Sequence, residues 1–351
     1  MSDFTNTNCT SRDLRWQLLS TVSALSLLVF IYGSHKAEAA AGDAEPPAVW
    51  IELGGGLDQF TNQQTPFMPP FEATSPSIQT YSVSGIQHAP RAGFNLSGEI
   101  AYQPAETDWV FSAAAKFGRA SRYQDVHDEG PTIPYVTGGG YVFPTPLGPF
   151  AFSDTVVKSS ESHVILDFKA GKEIGLGAPG GGYSVLSAGV RFAQFISKAA
   201  VQISLVPINV GNSPRYYASA KTSRSFLGIG PSIAWDASDP LLNRSAMGTV
   251  TFDWGANAAI LFGKQKSDIR QMTSEVGVYQ TTAAPGRTKS IQVPNVGGFA
   301  GFSVRYADAK VSMGYRADFF FGAIDGGIDA RKSENRGFYG PFANISFGIG
   351  G

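Results

Sequence analysis

The sequence predicts an all-β chain, folded as a transmembrane antiparallel up-and-down β-barrel of about ten strands, within a range of roughly eight to twelve. Three observations predict it. Apolar and polar residues alternate with a period of two in segment after segment. A period of two is the signature of a strand with one apolar and one polar face. The segments are about ten residues long, which a tilted strand needs to cross a bilayer. Long and short connections alternate between them, as short turns and long outer loops do in such barrels.

The N-terminus reads as an export signal. Arg12 and Arg15 precede an apolar run from about Leu18 to Tyr32, and Ala37-Glu38-Ala39-Ala40-Ala41 follows. A charged start, an apolar centre and an A-x-A site make a secretory signal. Cleavage is expected after Ala39, with Ala41 as the second choice, so residues 1–39 are the signal and 40–351 the barrel. An uncleaved anchor is the competing reading, but the run is short for a spanning helix of about 20 residues. Cys9 is the only cysteine and lies in the leader. The mature chain is therefore expected to form no disulfide and no thiolate site.

Composition narrows the class. Charged residues make up 16%, against about 25% in soluble domains. Glycine (41 residues) and aromatics (12%) are abundant. The net charge is −1, and Arg12, Arg15 and Lys36 balance Asp3, Asp13 and Glu38 in the leader, so export leaves it unchanged. No basic excess points to nucleic acid.

The strands follow in order. Segment 49–60 sets Val49, Ile51, Leu53 and Leu57 against Glu52 and Asp58. Segment 91–102 sets Phe94, Leu96 and Ile100 against Arg91, Asn95 and Glu99. Segment 108–119 sets Trp109, Phe111 and Phe117 against Ser112 and Lys116. Segment 161–173 sets Val164, Leu166 and Phe168 against His163, Asp167, Lys169 and Glu173. Segment 184–197 sets Leu186, Val190 and Phe192 against Ser187 and Arg191. Segment 225–236 sets Leu227, Ile229, Ile233 and Trp235 against Ser232 and Asp236. Segment 249–264 sets Val250, Phe252, Trp254, Ile260 and Phe262 against Asp253 and Asn257. Segments 297–307, 310–321 and 339–349 set Phe302, Val311, Met313, Tyr315 and Ile345 against Arg305, Lys310, Arg316, Asp318 and Asn344.

The connections 61–90, 120–160 and 265–296 read as long outer loops, with shorter links such as 103–107 between. An even strand count places both termini in the periplasm. Trp109, Tyr102, Trp235, Tyr306 and Tyr315 are candidates for interface girdles. Trp254 falls mid-segment and reads as lipid-facing bulk.

The stretch 162–198, SHVILDFKAGKEIGLGAPGGGYSVLSAGVRFAQFISK, together with Phe226-Leu227-Gly228-Ile229-Gly230-Pro231, resembles the Legionella-type major outer-membrane protein family. A strand carrying Asp167-Phe168 leads through a glycine-rich turn to one carrying Gly189-Val190-Arg191, and an F-x-G-x-G-P strand with Asp236 soon after completes the pattern. The resemblance covers most of the chain, best between about 161 and 263. It implies a pore-forming barrel in a Gram-negative outer membrane. The chain departs from the terminal aromatic common in such barrels, finishing Phe347-Gly348-Ile349-Gly350-Gly351.

No catalytic signature stands out. The triple glycines at 54–56, 138–140 and 180–182 lack a following Lys-Ser/Thr, so turns and bends explain them better than phosphate binding. His88, His127 and His163 have no metal-ligand spacing. His163 with Asp167 is the best acid–base pair, and a wet lumen explains it more simply than catalysis. No G-x-S-x-G elbow supports a hydrolase. No cofactor is expected and no enzymatic activity.

The polar faces carry the functional expectation. The lumen is expected to hold Glu52, Arg91, Glu99, Lys116, Asp167, Lys169, Glu173, Arg191, Asp253, Arg305, Lys310, Arg316 and Asp318. Those charges either line a water-filled path or pair across a narrow lumen and help close it. The first makes a porin-like channel for small hydrophilic solutes. The second makes a structural or adhesive barrel that works through its surface loops. An outer-membrane lipase ranks last. Expected partners are outer-membrane lipids and lipopolysaccharide, the barrel-assembly machinery and small solutes, with a homo-oligomer compatible with either reading.

Overall fold

A computed structural model describes residues 48–60, 92–129, 150–174, 183–207, 216–244, 248–275, 278–306, 309–326 and 333–349. The leader, residues 61–90 and Arg91 lie outside the described residues. The strands are β1 (Ala48–Phe60), β2 (Ala92–Gln103), β3 (Trp109–Glu129), β4 (Phe150–Glu173), β5 (Tyr183–Pro207), β6 (Tyr216–Arg244), β7 (Gly248–Glu275), β8 (Val278–Tyr306), β9 (Ala309–Asp325) and β10 (Ser333–Ile349). Each pairs antiparallel with its sequence neighbour, and β1 pairs with β10 to close the barrel. Closure leaves no unpaired sheet edge around the wall, which a strand in hydrocarbon requires.

The registers fix the geometry. A circuit of paired residues starts at Gly337 and runs through Phe319, Val296, Ala258, Ile233, Ala188, Ala170, Phe111, Tyr102 and Val49. It returns to β10 at Ile349, twelve residues further along. A stagger of this size goes with strands tilted by roughly 40°. The lower end of the barrel carries Ala48 and Ile349. There the β2–β3 turn is tight, with Glu106 at φ 57° and Thr107 Oγ1 donating to the Pro104 carbonyl at 3.1 Å.

The outer wall is apolar where the sequence alternation predicts it. Leu53, Phe94, Leu96, Phe111, Phe168, Val190, Ile229, Ile233, Ile260, Phe302 and Met313 are all exposed. Roughly ten residues per strand, tilted as above, make a band about 25 Å tall, the height of a lipid-facing wall. Trp109 and Tyr102 stand at its lower rim. Trp254 lies further up the wall, six residues above the lower end of β7 at Gly248. It meets Trp235 edge-on at 4.8 Å. The side chain of Tyr306 lies outside the described set.

Above the band the wall continues. The stretches 120–160 and 265–296, expected as long loops, are in large part strand. β3 and β4 stay paired to Glu129↔Phe152, and β7 and β8 to Glu275↔Val278. The sequence hides this extension because both faces turn polar there: Ser121, Tyr123 and Asp125 point outward while Arg122 and Gln124 point inward. An alternation of polar with polar has no visible period.

The band makes a direct prediction. Ile233 lies near mid-band, is 60% exposed and faces outward. Ile233→Arg is expected to destabilise the barrel by about 2–4 kcal/mol, measured as equilibrium unfolding from phospholipid vesicles. A neutral effect would mean that this face meets water.

The lumen as candidate functional site

Inward-facing side chains form three tiers, in the same vertical order on β5, β9 and β10. On β9, Arg316 and Asp318 are followed by Phe320. On β5, Arg191 is followed by Phe195 and then Ser197. On β10, running down, Arg336 is followed by Phe338 and then Asn344. Charged network, phenylalanine layer and second charged network therefore stack along the axis.

The lower tier contains most of the predicted charges, and seven of them, Lys116, Asp167, Lys169, Arg191, Asp253, Lys310 and Asp318, stand in ion pairs. Arg191 donates from Nε and Nη2 to the two carboxylate oxygens of Asp167 at 2.7 and 2.8 Å. Its Nη1 donates to Asn257 Oδ1 at 2.7 Å and also to Asn295 Oδ1. Lys116 Nζ lies 3.2 Å from Asp318 and 3.9 Å from Asp58. β3 and β9 are four strands apart around the wall, so this ion pair crosses the lumen. Lys169 Nζ is 3.9 Å from Asp236.

Nearer the mouth, Asn344 and Ser346 donate to Glu52 at 2.6 and 2.9 Å, and Glu99 is the cross-strand partner of Glu52. Asp253 accepts from Ser238, Thr251 and Ser303 at 2.6–2.8 Å, with Lys310 Nζ at 2.6 Å. Arg305 lies over the Trp50 ring at 5.2 Å and Arg316 over Phe342 at 4.8 Å. Glu173 sits at the lower end of β4, its N–H donating to the Asp108 carbonyl at 3.0 Å.

The middle tier was not anticipated. Phe195 of β5 meets Phe338 of β10 at a centroid distance of 5.4 Å. In a ring of ten strands these two are diametrically opposed, so their contact spans the full width of the lumen. Phe195 also meets Phe320 at 4.6 Å and Phe226 at 5.7 Å, and Phe338 meets Phe60 at 5.3 Å. All five are at most 3% exposed and pack with Ile165, Leu261 and Val293. The layer is thin. Phe226 has Arg224 above and Gly228 below, and the tip of its ring occupies the space beside that glycine. A Cβ on Gly228 would stand 2.4 Å from Phe226 Cζ.

One signal in the sequence could have found it. Phe60, Phe195, Phe226, Phe320 and Phe338 all fall on the polar phase of their strands, near the point where the outer apolar set ends.

The upper tier closes on itself. Ser197 donates to Glu161 at 2.7 Å, and Arg336 lies 3.5 Å from the same oxygen. Arg224 donates to Glu334 at 3.1 Å and to the Asp325 carbonyl at 3.0 Å. Arg287 is 3.1 Å from the Asp325 carboxylate.

The histidines are split. His88 lies outside the described residues. His127 faces outward, its Nδ1 2.5 Å from Asp154. His163 faces inward, fully buried, with its ring 4.0 Å from Phe338. Its Nε2 stands 3.3 Å from Asp58. A Cβ at Gly118 would meet that ring at 2.1 Å, so only glycine fits opposite it. His163 and Asp167 do not form the expected pair, because Arg191 occupies both oxygens of Asp167. Among the described residues no group of three or more His, Cys, Asp or Glu could hold a metal ion.

No known family matches the chain, and no curated protein is similar to it. Solved structures similar to it include the transport unit of the autotransporter AIDA-I from Escherichia coli, at 8% identity and TM-score 0.24, covering 93% of this chain and 97% of that one. The translocator domain of the autotransporter NalP from Neisseria meningitidis is 9% identical, with TM-score 0.25 and coverages of 97% and 96%. A deletion mutant of the monoaromatic hydrocarbon channel TodX is 8% identical, with TM-score 0.22 and coverages of 88% and 91%.

Proposed function

We propose that the protein is an outer-membrane barrel of a Gram-negative cell, exported by its leader, and that it is a porin-like pore shut at rest by the phenylalanine layer. The observation that carries this reading is the Phe195–Phe338 contact between opposed strands. The apolar band and the alternating strands support the membrane placement, and the resemblance to the Legionella-type family agrees with it. Small hydrophilic solutes or ions would pass only when the rings move aside. The thinness of the layer supports conduction over a purely structural core, because charged tiers lie directly above and below it. A core built only for stability would gain from continuing apolar. The alternative is a permanently closed barrel that works through its outer surface, and it shares the same resting geometry.

Planar-bilayer recording separates the two. The purified protein should be silent at low voltage and open in brief discrete steps at raised voltage. A large steady conductance at all voltages would contradict the closed resting state. Silence at every voltage would reject conduction and leave the structural barrel.

A further inference from the structure

At the upper edge of the apolar band the outer wall turns basic from β3 to β7, with Arg119 and Lys158 outward and exposed on β3 and β4 and the densest group on β5–β7. Lys198, Lys221, Lys264 and Lys266 all point outward and are exposed. Lys264 is the cross-strand partner of Leu227, at the upper edge of the band. Lys266 follows two residues on, on the same face. Lys221 pairs directly with Arg270 across the β6–β7 ladder. Lys198 pairs with Ser223, which makes it a diagonal neighbour of Lys221, within reach of long side chains.

The nearby outward acids are already engaged. Asp268 lies 3.6 Å from Arg270, and Asp154 holds His127. The four lysines have no acidic partner among the described residues. The same rim on β1, β2, β9 and β10 presents Gln59, Ala92, Phe321 and Tyr339, with no charge. At the lower rim the outward charges Lys172 and Asp108 face each other at 3.9 Å.

Like charges directly opposed on a ladder are unfavourable, and the opposed Lys221 and Arg270 share the single negative charge of Asp268. Here they sit where acyl chains give way to headgroups. We infer that Lys198, Lys221, Lys264 and Lys266 form a docking surface for the phosphate groups of the phosphorylated glycolipid of the outer leaflet, whose acyl chains lie against Leu227, Ile229 and Phe262 below. The apolar band and the basic patch are continuous, so one amphiphile satisfies both. The inference rests on the membrane-spanning reading and is independent of whether the lumen conducts.

The test uses the full chain refolded into phosphatidylcholine vesicles. Failure to insert would reject the membrane reading before any glycolipid is added. Bis-phosphorylated lipid A is then titrated in by fluorescence. The wild type should bind it, more weakly as salt rises. The variant Lys198→Gln/Lys221→Gln/Lys264→Gln/Lys266→Gln should bind about tenfold or more weakly. These positions are exposed and the change keeps them polar, so folding should persist, as heat-shifted electrophoretic mobility would show. Lys172→Gln, at the other rim, should bind as wild type. Equal binding by the quadruple variant, or equal binding of dephosphorylated lipid A, would overturn the assignment. Displacement by millimolar inorganic phosphate alone would show an anion site rather than a lipid site and would overturn it too.

Discussion

Replacing Phe195 and Phe338 together by alanine is expected to convert a silent barrel into one with steady conductance. The two rings are the parts of the layer that meet across the full diameter. Removing both opens a gap that Phe60, Phe226 and Phe320 cannot refill, because each is anchored on its own strand. The substitutions also cost stability, about 3–5 kcal/mol for a buried Phe→Ala. The wall is held by continuous ladders on every side, so the barrel should still fold. Phe195→Leu is the control: it keeps an apolar side chain in the layer and should stay silent. Conductance equal to wild type in the double variant, with folding intact, would place the constriction elsewhere.

Substituting Arg191 with methionine is expected to destabilise the barrel by about 3–5 kcal/mol. Methionine keeps much of the volume and removes the charge. The Asp167 carboxylate, 14% exposed, would then lose the cation that holds both its oxygens, and Asn257 and Asn295 would lose their donor. The asymmetry between breaking and replacing a buried pair supplies the check. Arg191→Met with Asp167→Leu should recover most of the loss, because no lone charge remains. Equilibrium unfolding of the two variants in the same vesicles measures both. A double variant as unstable as the single would mean that Arg191 acts through its asparagine contacts rather than through the ion pair.

The wall was legible in the sequence because lipid and lumen impose opposite demands on alternate residues. Trp109, Phe111 and Phe117 against Ser112 and Lys116 already specify which face is which. The same logic placed Lys116, Asp167, Arg191 and Asp318 inside. It could not say which of them meet. Lys116 finds Asp318 only because the sheet closes with a twelve-residue stagger, a property of the whole circuit and not of any strand. Asp58 was visible on the polar phase of β1, yet its partners Asn95, Lys116 and His163 come from three other strands. The phenylalanine layer escaped for a related reason. Phe195 and Phe226 each look like a stray aromatic on a polar face, and they become a layer only when opposed walls are brought together. The extended hairpins were hidden where water bathes the outer face and alternation loses its contrast.

The contact between Phe195 and Phe338 is the point on which the closed lumen stands, and it can be observed directly. With phenylalanine rings selectively labelled, nuclear Overhauser effects in lipid nanodiscs should connect the ring protons of Phe195 with those of Phe338, and the cross-peaks should vanish in Phe338→Leu. Assigned ring signals with no such cross-peak in the wild type would show that the rings do not meet and that the barrel is open at this level.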